Sequence, residues 1–213
     1  MGQIAKIKAV ILDLGGVLFG LDWNLSLECF LALPREFGRK IDEQLLLNVI
    51  TESERGRISR QEFVEGVRSS FSIKDYVDDE EIEQCWNKMI LDFPAYHRET
   101  INFLRQKYPV YVLSNINEIH RRFVETHPQW EPELFDGVFW SYELGWRKPE
   151  QMIYKIVTEK LGLVPENLLF FDDRIENVQG AKEYGWQAYL VAHSLEENVK
   201  QLFADFSYEQ VKS

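Results

Sequence analysis

Apolar positions follow two regimes along this chain. The first is a set of short, continuous runs. Lys8-Ala9-Val10-Ile11-Leu12 opens the set and is cut by Asp13, Leu14 and the pair Gly15-Gly16, before Val17-Leu18. Unbroken, β-branched apolarity suits a strand buried on both faces of a parallel sheet. Val110-Tyr111-Val112-Leu113, Leu168-Leu169-Phe170-Phe171 and Ala188-Tyr189-Leu190-Val191 repeat the pattern, and Val138-Phe139-Trp140 is a shorter version. Between them lie helical stripes. Ile101, Phe103 and Leu104 form one, Ile119, Phe123 and Val124 a second, and Met152, Ile153, Ile156, Val157 and Leu161 a third. Pro149 suits the first turn of that third helix and Gly162 its stop. Another helix runs to Gly185, and Ser194 with Glu197 forms a capping box for a terminal one. Alternating strands and helices predict right-handed parallel crossovers and a doubly wound, Rossmann-like α/β sheet.

The second regime runs from about Asp22 to about Tyr96 and is helical throughout. Leu25, Leu27, Phe30 and Leu31 begin one helix, and Leu45, Leu46, Val49 and Ile50 lie on another. Ser59 with Glu62 caps the segment carrying Phe63, Val67 and Phe71. Asp78 with Glu81 opens the segment carrying Ile82, Trp86, Met89 and Ile90. The helical stretch therefore interrupts an α/β core after its first strand. The expected partition is a core of residues 1–19 and 97–213 with an α-helical cap of residues 20–96. A mobile cap over the sheet edge is the natural physical reading.

Composition narrows the function classes. The 213 residues, 45% hydrophobic and 14% aromatic, support a real core. A net charge of -11 argues against non-specific binding to nucleic acid or to an anionic membrane. Any anionic substrate must then be held by local cations or backbone N–H groups. Cys29 and Cys85 are far apart with no CxxC spacing, so we expect reduced, packing thiols and no zinc site. Asp13 interrupts the N-terminal apolar run, which lacks a signal peptide's layout, and no stretch is long enough to span a bilayer. The expected protein is cytoplasmic, a monomer or weak dimer. Asn24-Leu25-Ser26 fits a glycosylation pattern that such a location leaves unused.

Three strands end in polar residues: Asp13, Ser114-Asn115 and Asp172-Asp173. In a parallel sheet those ends share one edge, where ligands bind, and Lys148 precedes a helix starting at that edge. Carboxylates packed together repel unless a cation sits among them, and oxygen-only ligands favour Mg²⁺. Asp13 is then a candidate nucleophile forming an acyl phosphate. Lys148 adds positive charge, and Ser114 with nearby backbone N–H groups can bind phosphate oxygens.

These residues resemble the haloacid dehalogenase-like hydrolases, in the subfamily with a helical cap after the first strand. Asp13-Leu14-Gly15-Gly16-Val17-Leu18 is similar to the family's first motif, Val112-Leu113-Ser114-Asn115 to the second, Arg147-Lys148-Pro149-Glu150 to the third, and Phe170-Phe171-Asp172-Asp173 with Asn177 to the fourth. The nearest resemblance is to bacterial phosphatases acting on glucose 1-phosphate and other sugar phosphates. They share an Asp like Asp22, the turn Glu54-Arg55-Gly56-Arg57-Ile58-Ser59, and the Asn117 to His120 spacing. The resemblance implies a Mg²⁺-dependent phosphatase of a small phosphate ester. Asp13 would be nucleophile and metal ligand, the Gly15 carbonyl a further ligand, and Asp172 and Asp173 the remaining ones. Gly15, Gly16, Asp22, Ser114, Asn115 and Lys148 would bind substrate, and Asp13, Ser114 and Lys148 would carry catalysis.

One position departs from the pattern. Most family phosphatases carry a general acid/base Asp two residues after the nucleophile, where this chain has Gly15. Losing such help costs about 10²–10⁴-fold, and Asp22 is a candidate substitute. Two other functions compete: a metal-independent 2-haloacid dehalogenase, and a weakly active scaffold. Paired acids beside Asp13 make sense with Mg²⁺ and little sense without it. Trp23, Trp146 and His120 are weighed as substrate contacts against ordinary packing, with His120 read as a helix-face histidine satisfied locally.

Overall fold

The computed structural model describes residues 6–203; the outermost ends of the expected core, 1–5 and 204–213, lie outside them. Five parallel strands form one sheet: β1 (Ala9–Leu12), β2 (Val110–Ser114), β3 (Gly137–Trp140), β4 (Leu168–Asp172) and β5 (Gln187–Leu190). Their order is β3-β2-β1-β4-β5. β1 therefore sits centrally, with Leu12 registered against Val112 on one side and Phe171 on the other. Winding reverses beside β1, and that switch opens a crevice at the strand ends.

Ten helices accompany the sheet among the described residues. Four precede β2 as an insertion: α1 (Trp23–Ala32), α2 (Glu43–Glu54), α3 (Arg60–Phe71) and α4 (Asp79–Asn87). The others are α5 (Tyr96–Arg105), α6 (Glu118–Glu125), α7 (Ser141–Leu144), α8 (Gln151–Leu161), α9 (Ile175–Tyr184) and α10 (Leu195–Leu202). Alternation along β1 divides the core. Val10 and Leu12 pack with Ile101, Leu104, Val124, Leu195 and Val199. Ala9 and Ile11 pack with Ile153, Tyr154, Val157, Val178 and Ala181. The sheet is thus sandwiched by α5, α6 and α10 on one face and by α8 and α9 on the other, which is the expected α/β Rossmann-like architecture.

The insertion has its own apolar centre, built on Phe30, Val49, Phe63, Val67, Phe71, Ile82 and Trp86. Two linkers join it to the core and run side by side. Leu91 N donates to Gly20 O at 2.9 Å and Asp22 N to Met89 O at 2.9 Å. We propose residues 20–96 as the cap on this basis. Ser59 and Glu62 form a complete capping box on α3. Asp78 caps α4 with its backbone rather than its side chain. Pro149 falls in the turn before α8, whose N-cap is Glu150, and so is not a first-turn residue as expected. The reason is Asn115, which holds the Lys148 backbone in a turn at both N–H and C=O.

The expectation of reduced thiols is overturned: Cys29 and Cys85 form a disulfide. The cysteines belong to α1 and α4, which pack together and bring the two Cα atoms to 5.2 Å, within the usual span of the bond. No free cysteine remains. The bond closes a loop of 56 residues, for which chain entropy predicts about 4 kcal/mol of stabilisation. Urea unfolding of Cys29→Ser is expected to show a loss of that order, and alkylation of the unreduced protein is expected to label no thiol. No described helix is long and apolar enough to cross a membrane.

Candidate active site

Asp13 follows β1 directly, its N–H held by Phe171 O at 2.8 Å. β4 ends in Asp172, and Asp173 follows. Between the first two carboxylates lies the Lys148 side chain, which is buried. Lys148 Nζ is 2.7 Å from Asp13 Oδ1 and 2.6 Å from Asp172 Oδ2, and donates to Leu113 O at 2.9 Å. One ammonium thus bridges two anions and spends all three of its protons. Asp172 is held further: its Oδ1 accepts from Arg174 N at 2.8 Å and from Asn177 Nδ2 at 2.9 Å.

The charges do not balance. Burial pushes the Asp13 carboxyl up to about 8, Lys148 opposes it, and Asp172 and Asp173 add to it. Burial raises Asp173 above the ordinary carboxylate range too, with Asp172 adding and Lys148 opposing. For Lys148, burial alone would favour the neutral amine, but the contacts with Asp13 and Asp172 outweigh it and hold its pKa above the usual lysine value. Asp173 Oδ1 is buried without a hydrogen-bond partner. Asp13, Asp172 and Asp173 can each present an oxygen within 4.8 Å of the others. An orphaned anionic oxygen among hard donors fits a divalent cation such as Mg²⁺. Such an ion would find Asp13 and Asp173 more available than Asp172, which Lys148, Arg174 and Asn177 already occupy. Gly16 makes the arrangement possible: its φ is +82°, and a methyl there would overlap the Asp173 carboxylate.

Comparison with known proteins bears directly on this geometry. The family model for haloacid dehalogenase-like hydrolases matches residues 7–185. The chain belongs to that family. Among similar curated proteins, a D-ribitol-5-phosphate phosphatase of Bacteroides thetaiotaomicron is 26% identical over 86% of this chain and 91% of its own length. A phosphorylated carbohydrates phosphatase of Thermotoga maritima is 26% identical over 89% of this chain and 87% of its own. Among solved structures, a point mutant of a HAD family enzyme of Bacteroides thetaiotaomicron, complexed with magnesium and inorganic phosphate, is 29% identical. It superposes at a TM-score of 0.77, covering 97% of this chain and 100% of that one. This HAD-like hydrolase therefore has phosphatases as relatives.

The cavity above Asp13 has a volume of about 330 Å³. Gly15, Ser114, Asn115, Lys148 and Asp173 line it with Asp13. Ser114 ends β2 and is buried. The Asn115 side chain is spent on the Lys148 backbone, at 2.8 Å for each bond. Asp22 is placed otherwise than a substrate contact would be. It caps α1, accepting from Asn24 N at 2.9 Å, and does not line the cavity. Gly16 also stands outside the lining and serves Asp173 instead. Trp23 lines the cavity, whereas Trp146 does not and lies beneath the Arg57 guanidinium.

Two lining residues of the HAD-like hydrolase escape sequence reasoning in this role. Arg174 follows Asp173, and Glu54 comes from the end of α2. Burial raises the Glu54 carboxyl above its usual range, against Arg147, Arg174 and Lys148. Its partner Arg147 lies 2.6 Å away across the seam between insertion and core, and Arg55 pairs with Glu150 beside it. Only the tertiary contact distinguishes Glu54 from the other acids of that turn.

His120 is satisfied by another helix rather than locally. Its Nε2 lies 3.0 Å from Trp86 O, which places the neutral ring's proton on Nε2. The ring stacks on Trp86 with centroids 4.6 Å apart. Burial pushes its pKa down from 6.5 to about 4. Below the ordinary value the unfolded chain takes a proton that the folded chain refuses. Stability is expected to fall by about 3 kcal/mol between pH 6.5 and 4 from this group. Urea unfolding across that window checks it. His120→Gln keeps a donor for Trp86 O but does not titrate, and should show a correspondingly shallower pH dependence.

Proposed function

We propose that this HAD-like hydrolase is a Mg²⁺-dependent phosphatase of a small phosphorylated metabolite, working through a phosphoaspartyl group on Asp13. The observation that carries the reading is the buried, unpartnered Asp173 oxygen beside the Asp13–Lys148–Asp172 bridge. A dehalogenase working without metal has no use for that oxygen. A scaffold has no use for a buried cation between two carboxylates, which is costly to maintain. The substrate we favour is a sugar phosphate, such as a hexose 1-phosphate, in keeping with the relatives named for phosphorylated carbohydrates and D-ribitol 5-phosphate.

Asp13, Asp173 and the Gly15 carbonyl would hold the ion, with Asp172 beside them. When bound it supplies positive charge for the phosphoryl oxygens and for the carboxylate cluster. Lys148 counters the burial that disfavours the Asp13 carboxylate and aligns it by its hydrogen bond. The free lone pair of the Asp13 carboxylate attacks phosphorus, and the ester P–O bond breaks with its electrons left on the departing oxygen. Ser114 donates its hydroxyl to a phosphoryl oxygen, adding stabilisation where negative charge accumulates. Water then attacks the acyl phosphate, releasing phosphate and restoring Asp13. Gly15 offers no side chain to move a proton, so leaving groups of lower pKa should react faster.

The test is phosphate release from p-nitrophenyl phosphate and a sugar-phosphate panel, with Mg²⁺ and with EDTA. Turnover that requires Mg²⁺ supports the proposal. Chloride release from 2-chloropropionate in EDTA, with no phosphate release under any condition, would overturn it.

A further inference from the structure

Beyond the carboxylates, the far wall of the cavity comes from the insertion, and it is chemically lopsided. Trp23, Trp86, Met89 and Ile90 line it. Glu54 is the one carboxylate that the described insertion residues contribute to the lining. Trp86 is held rigidly: it stacks on His120 at an interplanar angle of 4° and meets Trp23 edge-on at 5.9 Å. Trp23 opens α1 and keeps 37% of its surface exposed, so a large aromatic face adjoins the cavity without being used in the core. Glu54 Oε2 faces Arg147. That Oε2 is buried without an aligned hydrogen bond, and Glu54 lines the cavity.

We propose that Trp23 and Glu54 form the leaving-group subsite, and that it takes a cyclic sugar: a pyranose packs its C–H face on Trp23 and donates a hydroxyl to the Glu54 carboxylate. The inference rests on the phosphatase reading above and adds the residues that select the alcohol. A pyranose ring fixes several C–H groups on one side, which suits a flat aromatic wall. The same ring carries its hydroxyls at the rim, where one charged acceptor orients it. An open-chain polyol presents no such fixed face and must freeze several rotors to make the same contacts. The subsite should therefore favour a cyclic sugar phosphate over an acyclic one.

The experiment measures kcat/KM for glucose 1-phosphate, ribitol 5-phosphate and phenyl phosphate with Mg²⁺, in the native sequence, Trp23→Ala and Glu54→Gln. In the native sequence the cyclic sugar should exceed the acyclic one by about tenfold or more, a difference Trp23→Ala should erase. Glu54→Gln should raise KM for glucose 1-phosphate by about tenfold. Its loss on phenyl phosphate, whose ring bears no hydroxyl, should be at least about fivefold smaller. Equal losses on all three substrates would mean that Glu54 only supports Arg147, and would overturn the assignment. Ribitol 5-phosphate turning over as well as glucose 1-phosphate would overturn it too. Failure of all three substrates, phenyl phosphate included, would instead sink the phosphatase reading and this inference with it.

Discussion

Asp13→Asn is expected to lower phosphate release by on the order of 10⁴-fold or more, the scale seen when a covalent nucleophile is removed. The substitution preserves shape at a buried position beside β1. Its amide oxygen can still accept from Leu14 N, which now donates to Asp13 Oδ1 at 2.7 Å. What disappears is the anionic lone pair aimed into the cavity, along with one of the two charges on Lys148. Two measurements check this. Steady-state release in the presence of Mg²⁺ should fall to background. Acid-quenched native protein should carry a phosphoryl group on the peptide containing Asp13, and the variant should carry none. Activity within about tenfold of native would mean that another group attacks phosphorus, with water as the obvious alternative.

Lys148→Met should damage both stability and turnover. The ammonium is fully buried and makes both short contacts that hold Asp13 and Asp172 together. Methionine fills the space but leaves two carboxylates facing each other, with Asp173 close by. Removing one partner of a buried charge cluster costs about 3–5 kcal/mol. Urea unfolding in EDTA should show a loss of that size. Adding Mg²⁺ should recover part of it, because a divalent cation would neutralise the same anions, while turnover should stay lost because Asp13 has lost the group that aligns it. A midpoint unchanged in EDTA would show that the carboxylates are not mutually strained, and the metal reading would lose its electrostatic basis.

Much of the candidate site was legible because neighbouring elements are encoded locally. The apolar run ending at Asp13, the run ending at Ser114 and the run ending at Asp172-Asp173 each announce a strand and its polar terminus. Parallel pairing then has to bring those termini to one edge. The capping box of Ser59 and Glu62 was legible for the same reason, since its bonds span a single helical turn. The assignments that changed depend on which backbone group takes each side chain, near in the chain for Asp22 and distant for Pro149. Asp22 looks like a cavity acid in sequence, but α1 begins beside it and takes its carboxylate as a cap. Pro149 looks like a helix start, yet Asn115 binds the backbone before it and delays the helix to Gln151.

By itself, the order of residues determined the strand–helix alternation, the helical insertion after the first strand, and the acids, serine and lysine that crowd the sheet edge. Those are consequences of periodicity and of polar groups placed where strands stop. Only the tertiary structure decided which acids stay available. Asp172 is consumed by Lys148 and Asn177, Asp173 keeps an oxygen unmet against Gly16, and Glu54 reaches the cavity from the far side. It also decided that Cys29 and Cys85 bond, by laying α1 along α4. The reason is common to all of these: a side chain's partners are set by packing between segments far apart in the chain, and no local pattern carries that information.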